Sequence, residues 1–291
     1  MSWRTVVISN SAKLDYQMGY MVVRRGDVVK VNVDEIETLM IESTAVSLTA
    51  ALLNELVKRK VKVIFCDEKH NPSSELLAYY GAHDTSAKVR KQVNWSTDIK
   101  RAVWTEVVSD KIRKQAEHLE EKCLHKESEM LFNYIKEMQF GDANNREGHA
   151  AKVYFNSLFG KEFSRSDDNS TNAALNYGYT IILSAFNREV VANGYLTQLG
   201  IFHDNMFNSF NLASDLMEPF RILIDRIVFR MNPEKFEHDE KMEVLKVLQT
   251  EVKIAGKAEY VDNAIKIYCR SVFDALNDND VSLIKFYNYE L

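Results

Sequence analysis

The hydrophobic pattern of this chain changes period once, and no other feature constrains its fold as much. Through Gly81 apolar residues recur with a period near two; beyond it they recur with helical period almost to the C-terminus. Residues 5–9 (TVVIS), 21–25 (MVVRR) and 28–32 (VVKVN) are rich in β-branched residues and read as strands, with Arg25-Gly26-Asp27 as a tight hairpin turn. Residues 37–42 and 61–67 read as further strands, and residues 47–60 as a helix with Ser47 as its N-cap. Asn94-Trp95-Ser96-Thr97-Asp98 then offers a helix start, followed by charged, helix-period sequence. Only 3 Pro and 10 Gly in 291 residues favour long uninterrupted helices. The expected fold is therefore α+β: a β-rich domain over residues 1–85, a linker over 86–95 and a larger all-helical domain over 96–291. No internal repeat or low-complexity tract interrupts it.

Composition narrows the class. With 46% hydrophobic residues, 15 Phe and 13 Tyr, the chain can bury a full core and is not disordered by composition. A net charge of -5 excludes a global polycation, so nucleic-acid binding must come from local patches or a metal. Cys66, Cys123 and Cys269 form no CxxC, which argues for a reducing compartment and against a zinc-thiolate site. No apolar run reaches the roughly 18 residues of a membrane span, and the Met1-Ser2-Trp3-Arg4 start has no signal core. A soluble, cytoplasmic protein is expected. Lys88, Arg90, Lys91, Lys100, Arg101, Lys111, Arg113 and Lys114 outnumber Asp98, Glu106 and Asp110 within one segment. That segment is either a solvated helical face or a phosphate-tracking strip.

Two stretches carry candidate chemistry. In the first, residues 144–160, Asn144 can cap a helix and Glu147 lies in its first turn, with Gly148 and two alanines leaving room beside the carboxylate. An acid there also has the ordinary role of favouring the helix macrodipole. In the second, residues 199–221, His203 precedes Asp215 and Glu218 inside an unusually apolar run. A helix starting at Asp215 puts Asp215 and Glu218 on one face, with Pro219 tolerated early and Arg221 as an ion-pair partner. Charges set in apolar sequence are costly unless paired or metal-bound. Two carboxylates and an imidazole suit Mg²⁺ or Mn²⁺, and a divalent ion so held can drive phosphoryl transfer. His70, His83, His118, His125 and His238 lie in polar surroundings and read as surface residues, while His149 has carboxylates nearby.

Three blocks resemble the universal spacer-acquisition integrase and endonuclease family of CRISPR systems. They are Glu147-Gly148-His149-Ala150-Ala151, the NAALNYGY string over residues 172–179, and the stretch from Gly200-Ile201-Phe202-His203 to Ser214-Asp215-Leu216-Met217-Glu218-Pro219-Phe220-Arg221. The chain length and the Met1-Ser2-Trp3-Arg4 start resemble the type II branch. The resemblance implies a β-sandwich-like N-terminal domain used for dimerisation and a helical catalytic domain. It implies metal ligation by Glu147, His203 and Glu218, with Asp215, Tyr177 and Arg221 in support. It further implies double-stranded DNA substrates (a spacer precursor and the CRISPR repeat), a small CRISPR-associated bridging protein and other type II CRISPR partners. Lys88, Arg90, Lys91, Lys111, Arg113 and Lys114 are the candidate DNA contacts. Two other readings stand beside it: an HD-type phosphohydrolase using His203-Asp204 and His238-Asp239, and a non-catalytic helical scaffold whose acids are caps and ion pairs.

Overall fold

A computed structural model describes residues 4–79 and 82–289. The Met1–Trp3 part of the start motif and the Gly81 boundary lie outside the described residues. The chain divides into two compact units, Met1–Tyr79 and Tyr80–Leu291. The architecture is α+β, strand-rich first and helical after.

The first unit begins with β1 (Arg4–Ile8), β2 (Ala12–Gln17), β3 (Tyr20–Arg25), β4 (Asp27–Asn32), β5 (Ile36–Ile41) and β6 (Val46–Leu48). It continues with α1 (Ala50–Lys58), β7 (Lys62–Cys66) and β8 (Pro72–Leu76). Two four-stranded sheets result, ordered β1-β5-β7-β8 and β4-β3-β2-β6. The expected hairpin is present: Arg25 pairs with Asp27 across Gly26, whose φ of 78 suits glycine. β5 is buried along its whole length because β1 and β7 flank it in parallel, while both sheets and α1 feed one apolar cluster around Leu14, Met21, Leu39 and Leu52. Ser47 does not cap α1; it lies in β6, and the Thr49 side chain accepts from the Leu52 N–H instead. β2, β6 and β8 were not expected, because each is short or carries too few β-branched residues to stand out.

The second unit opens with α2 (Thr85–Val93), so the segment expected as a linker is helical. Ser96 then caps α3 (Thr97–Glu121), as its position before the periodic run requires. α4 (His125–Lys136), α5 (Arg146–Phe159), α6 (Ser170–Ala192), α7 (Asn211–Leu216), α8 (Arg221–Met231) and α9 (His238–Leu245) follow. The end of the unit is not all-helical: β9 (Glu251–Ile254), β10 (Lys257–Tyr260) and, after α10 (Val261–Asp278), β11 (Tyr287–Asn288) form a three-stranded sheet ordered β10-β9-β11. Ala255 and Gly256, both at positive φ, make the β9–β10 turn, the backbone state that tight hairpins need. Among the described residues no helix is long and apolar enough to cross a membrane.

α3 is charged in sequence yet sits at the centre of this unit. Trp104, Val107, Val108, Lys111, Ile112, Gln115 and His118 are all buried on it. Its charges survive burial because they are paired: Lys114 with Asp110, and Lys111 with two acids described below. His118 is likewise no surface residue; its Nδ1 lies 2.7 Å from the Tyr154 hydroxyl, and burial pulls its imidazole down to about 3. α6 packs on α8 through Gly178, where a Cβ would stand 2.5 Å from Ile224 Cγ2. Gly178→Ala is therefore expected to cost about 1–3 kcal/mol by overpacking. Urea unfolding checks this: an unchanged midpoint would show that the helices can separate freely.

Candidate active site

Three elements deliver charge to one point. Lys111 on α3 places Nζ 2.6 Å from Glu147 Oε1 and 2.5 Å from Glu218 Oε2. Glu147 reaches that point from the first turn of α5. The cap there is Asn145, not Asn144: its backbone is left-handed and its side chain accepts from the Gly148 N–H at 3.2 Å. Asn144 instead bonds Gln139 N and Glu137 O, while Asp142 accepts from the N–H groups of Arg146 and Glu147. The space beside Gly148 is filled by the Asn145 side chain, 2.8 Å from where a Cβ would be, so no cavity opens there.

Glu218 starts a 3-10 turn, Glu218–Phe220, with Pro219 second, where its missing N–H is no loss. Its Oε1 lies 3.0 Å from Arg221 Nε, at ion-pair distance but not aligned for a hydrogen bond. The Arg221 guanidinium stacks over the Tyr179 ring at 4.8 Å, and the Tyr179 hydroxyl donates to Asp225 Oδ1 at 2.5 Å. Burial pushes the Asp225 carboxyl up to about 6. Burial also works against the charge on Glu218, but Arg221 and Lys111 outweigh it and hold the carboxyl below its usual range. Burial pulls Lys111 down, yet Glu218 and Glu147 outweigh it and hold the ammonium above its usual range. Both directions describe an ionised Lys111–Glu218 pair.

His203 is held by a separate device. Asp215 does not begin a helix; it lies near the end of α7, fully buried, and turns back to the 201–203 loop. Its carboxylate accepts from the N–H groups of Ile201, Phe202 and His203 at 2.7, 3.0 and 3.0 Å, and from His203 Nδ1 at 2.5 Å. That hydrogen bond raises the imidazole above its usual value and turns Nε2 away from Asp215, the orientation common behind metal-bound histidines. Gly200 is required: a Cβ there would sit 2.3 Å from His203 O and 2.7 Å from Asp215 Oδ2. Phe202 stacks on Trp104 at 4.3 Å, and buried Gln92 clamps the preceding loop through Leu196 and Leu199. A cleft of about 370 Å³ opens here, lined by Gln92, Lys100, Gly200 and His203 among others.

The sequence-predicted ligands are thus only partly assembled. Glu147 and Glu218 meet at Lys111; His203 is near enough to feel both charges. Among the described residues, no three carboxylate, imidazole or thiolate groups stand close enough together to hold a metal ion. The donor chemistry nonetheless fits a hard divalent cation: two carboxylates, one of them 20% exposed in its side chain, and an imidazole pre-oriented through Nδ1. Of the supporting residues, Arg221 and Asp215 touch the ligands, whereas the Tyr177 ring lies against Phe236 and Lys241; Tyr179 is the tyrosine that meets Arg221. His203 bonds Asp215, not the Asp204 that an HD pair would use. Lys111 and Lys114 are buried and cannot belong to an exposed basic strip, while Arg113 pairs with Asp110 and Lys88 lies 3.9 Å from Asp84. Arg90 and Lys91 are exposed on α2. The role of Lys111 was missed, although its helical register with Trp104, Val108 and Gln115 places it on the buried face of α3. Asp215→Ala should cost about 2–4 kcal/mol, since it removes the acceptor of three successive backbone N–H groups, one of them buried. Stability in urea equal to that of the parent protein would mean the loop is held some other way.

The sequence model of the family described as CRISPR associated protein Cas1 matches residues 5–254. The chain is 35% identical over 232 residues to the CRISPR-associated endonuclease Cas1 of Neisseria meningitidis serogroup C (strain 8013), covering 79% of this chain and 76% of that one. In fold it is similar to a casposase bound to integration product, with a TM-score of 0.78 at 15% identity, covering 96% of this chain and 93% of that one. It is similar also to a chain of a partial Cas6-RT-Cas1--Cas2 complex, with a TM-score of 0.67 at 15% identity over the full length of both. The chain belongs to the Cas1 family of CRISPR-associated proteins.

Proposed function

We propose that this protein is a divalent-metal-dependent DNA endonuclease and integrase that inserts foreign DNA into a CRISPR array by transesterification. The observation that carries the reading is the convergence of the Glu147 and Glu218 carboxylates at one buried point beside an imidazole that Asp215 orients. Family membership and the endonuclease name of the Neisseria relative support it. A Mg²⁺ or Mn²⁺ ion held by Glu147, Glu218 and His203 would polarise the target phosphodiester and stabilise the leaving oxygen. Glu147 and Glu218 supply the negative charge that selects a cation. Asp215 fixes the His203 tautomer, Arg221 holds Glu218, and Trp104 backs the 201–203 loop through Phe202. Lys100, on the cleft at His203, is placed to meet a phosphate, and Lys88, Arg90, Lys91 and Arg113 extend the basic surface.

The test is strand transfer of a DNA 3′ end into a repeat-containing duplex, with and without Mn²⁺. Glu147→Ala, His203→Ala and Glu218→Ala should each reduce joining to background, and double variants should lose no more than single ones. Charge reversal at Lys88, Arg90, Lys91 and Arg113 together should flatten the salt dependence of DNA binding, by about 0.9 in log–log slope per lost phosphate contact. Full activity in one of the alanine variants would remove that residue from the site; an unchanged salt slope would make the basic surface a solvated face.

Joining both ends of an insert needs two active sites, and the chain carries one candidate ligand set. We therefore propose a homodimer formed through the first 85 residues, their two sheets facing each other as a sandwich in each copy. β4 is an edge strand with Val28 and Val29 each 55% exposed, a row that a second copy can cover. A small CRISPR-associated bridging protein, such as the Cas2 named with the structural neighbour, and further type II proteins would complete a cytoplasmic assembly. The three free cysteines suit that reducing compartment. Light scattering of the isolated protein should give twice the mass of one chain; a monomer at micromolar concentration would sink the dimer.

A further inference from the structure

We propose that Lys111 is the resident counter-cation of the metal site, and that a divalent ion binds by displacing its ammonium from Glu147 and Glu218. The proposal rests on the metal reading above and assigns a new part within it. Lys111 engages one oxygen of each carboxylate, at 2.6 and 2.5 Å. A metal ion ligated by both acids would sit about 2.0–2.2 Å from an oxygen of each, between the two carboxylates that the ammonium now bridges. In a buried site an ammonium and a divalent ion at contact distance from the same pair of oxygens repel strongly, because little water screens them.

Two cations serve Glu218, and the structure distinguishes the one that can leave. Arg221 is fixed from behind: its guanidinium stacks on Tyr179, and the Tyr179 hydroxyl is bonded to buried Asp225. It approaches Glu218 through Oε1, not through the Oε2 that Lys111 uses. Lys111 has only a flexible four-carbon stem between its ammonium and α3. Glu147, the second acid on the ammonium, is 20% exposed in its side chain against 4% for Glu218, so the bridge is more open to solvent at its Glu147 end. Without this lysine, two carboxylates would face each other in a buried site, a state that raises the affinity for any cation and lowers the stability of the empty protein. The lysine thus sets how tightly the metal is held.

The experiment is calorimetric titration of Mn²⁺ alone, with no DNA, into the full chain and into Lys111→Met. The variant should bind Mn²⁺ at least about tenfold more tightly, a change of 1.4 kcal/mol or more. Its melting temperature should also rise more on adding Mn²⁺ than that of the parent protein. Equal or weaker binding by Lys111→Met overturns the proposal and leaves the metal reading in place. Absence of Mn²⁺ binding in both proteins overturns the metal reading as well. A second readout needs no variant: Lys111 of the parent protein should react several-fold faster with an amine-acylating reagent when Mn²⁺ is present, read by peptide mass spectrometry. This decides the matter if Lys111→Met does not fold, and unchanged labelling in saturating Mn²⁺ counts against displacement.

Discussion

An ammonium held between two carboxylates organises the helical unit. Three segments distant in sequence must bring Lys111, Glu147 and Glu218 to one point: the middle of α3, the first turn of α5 and the turn before α8. Buried charges are tolerated only when each has its partners, so the bridge dictates much of what surrounds it. Asp142 and Asn145 fix the start of α5; Arg221, Tyr179 and Asp225 brace Glu218 from the α6 and α8 side. The short strand β11 belongs to the same scheme, since the buried Tyr287 donates its hydroxyl to Pro219 O and its ring faces the Lys114 ammonium. The C-terminal sheet, remote in sequence from every candidate ligand, therefore supports the turn that carries Glu218.

The imidazole is built independently of that bridge. Its loop is shaped by one carboxylate that satisfies three successive backbone N–H groups and the ring nitrogen together. Gly200 is there because a side chain would collide with that carboxylate, and Gln92 reaches from α2 to hold the chain just upstream. Two rigid halves, one carrying two acids and one carrying a histidine, face the same region without closing a three-ligand cluster. In the proposed function the ion itself would complete that assembly.

Much of this was legible in the sequence, and the misses have physical causes. The β-branched runs, the Arg25-Gly26-Asp27 turn, the helix start within residues 94–98 and the first-turn position of Glu147 follow from local rules that tertiary packing did not overrule. The errors came from elements whose identity is set by neighbours. Residues 86–95 read as a linker because α2 is polar, yet Gln92 is buried by its bonds to the 196–199 loop. β11 spans two residues, below any periodic signal. Lys111, Lys114 and His118 were read as surface groups from residue type alone, and only pairing across helices makes their burial affordable. Asp215 and Glu218 are close in sequence but serve opposite halves of the site, a division that spacing on one helix could not express.

In the proposed function Glu147, Glu218 and His203 bind one metal ion together. Anomalous diffraction from crystals of the protein soaked in Mn²⁺ tests it most directly. One strong peak is expected within about 2.0–2.3 Å of a carboxylate oxygen of Glu147, a carboxylate oxygen of Glu218 and His203 Nε2, with the Lys111 ammonium moved away. A peak coordinated by His203 and Asp204, or no peak at the two glutamates with Lys111 still bridging them, would contradict it.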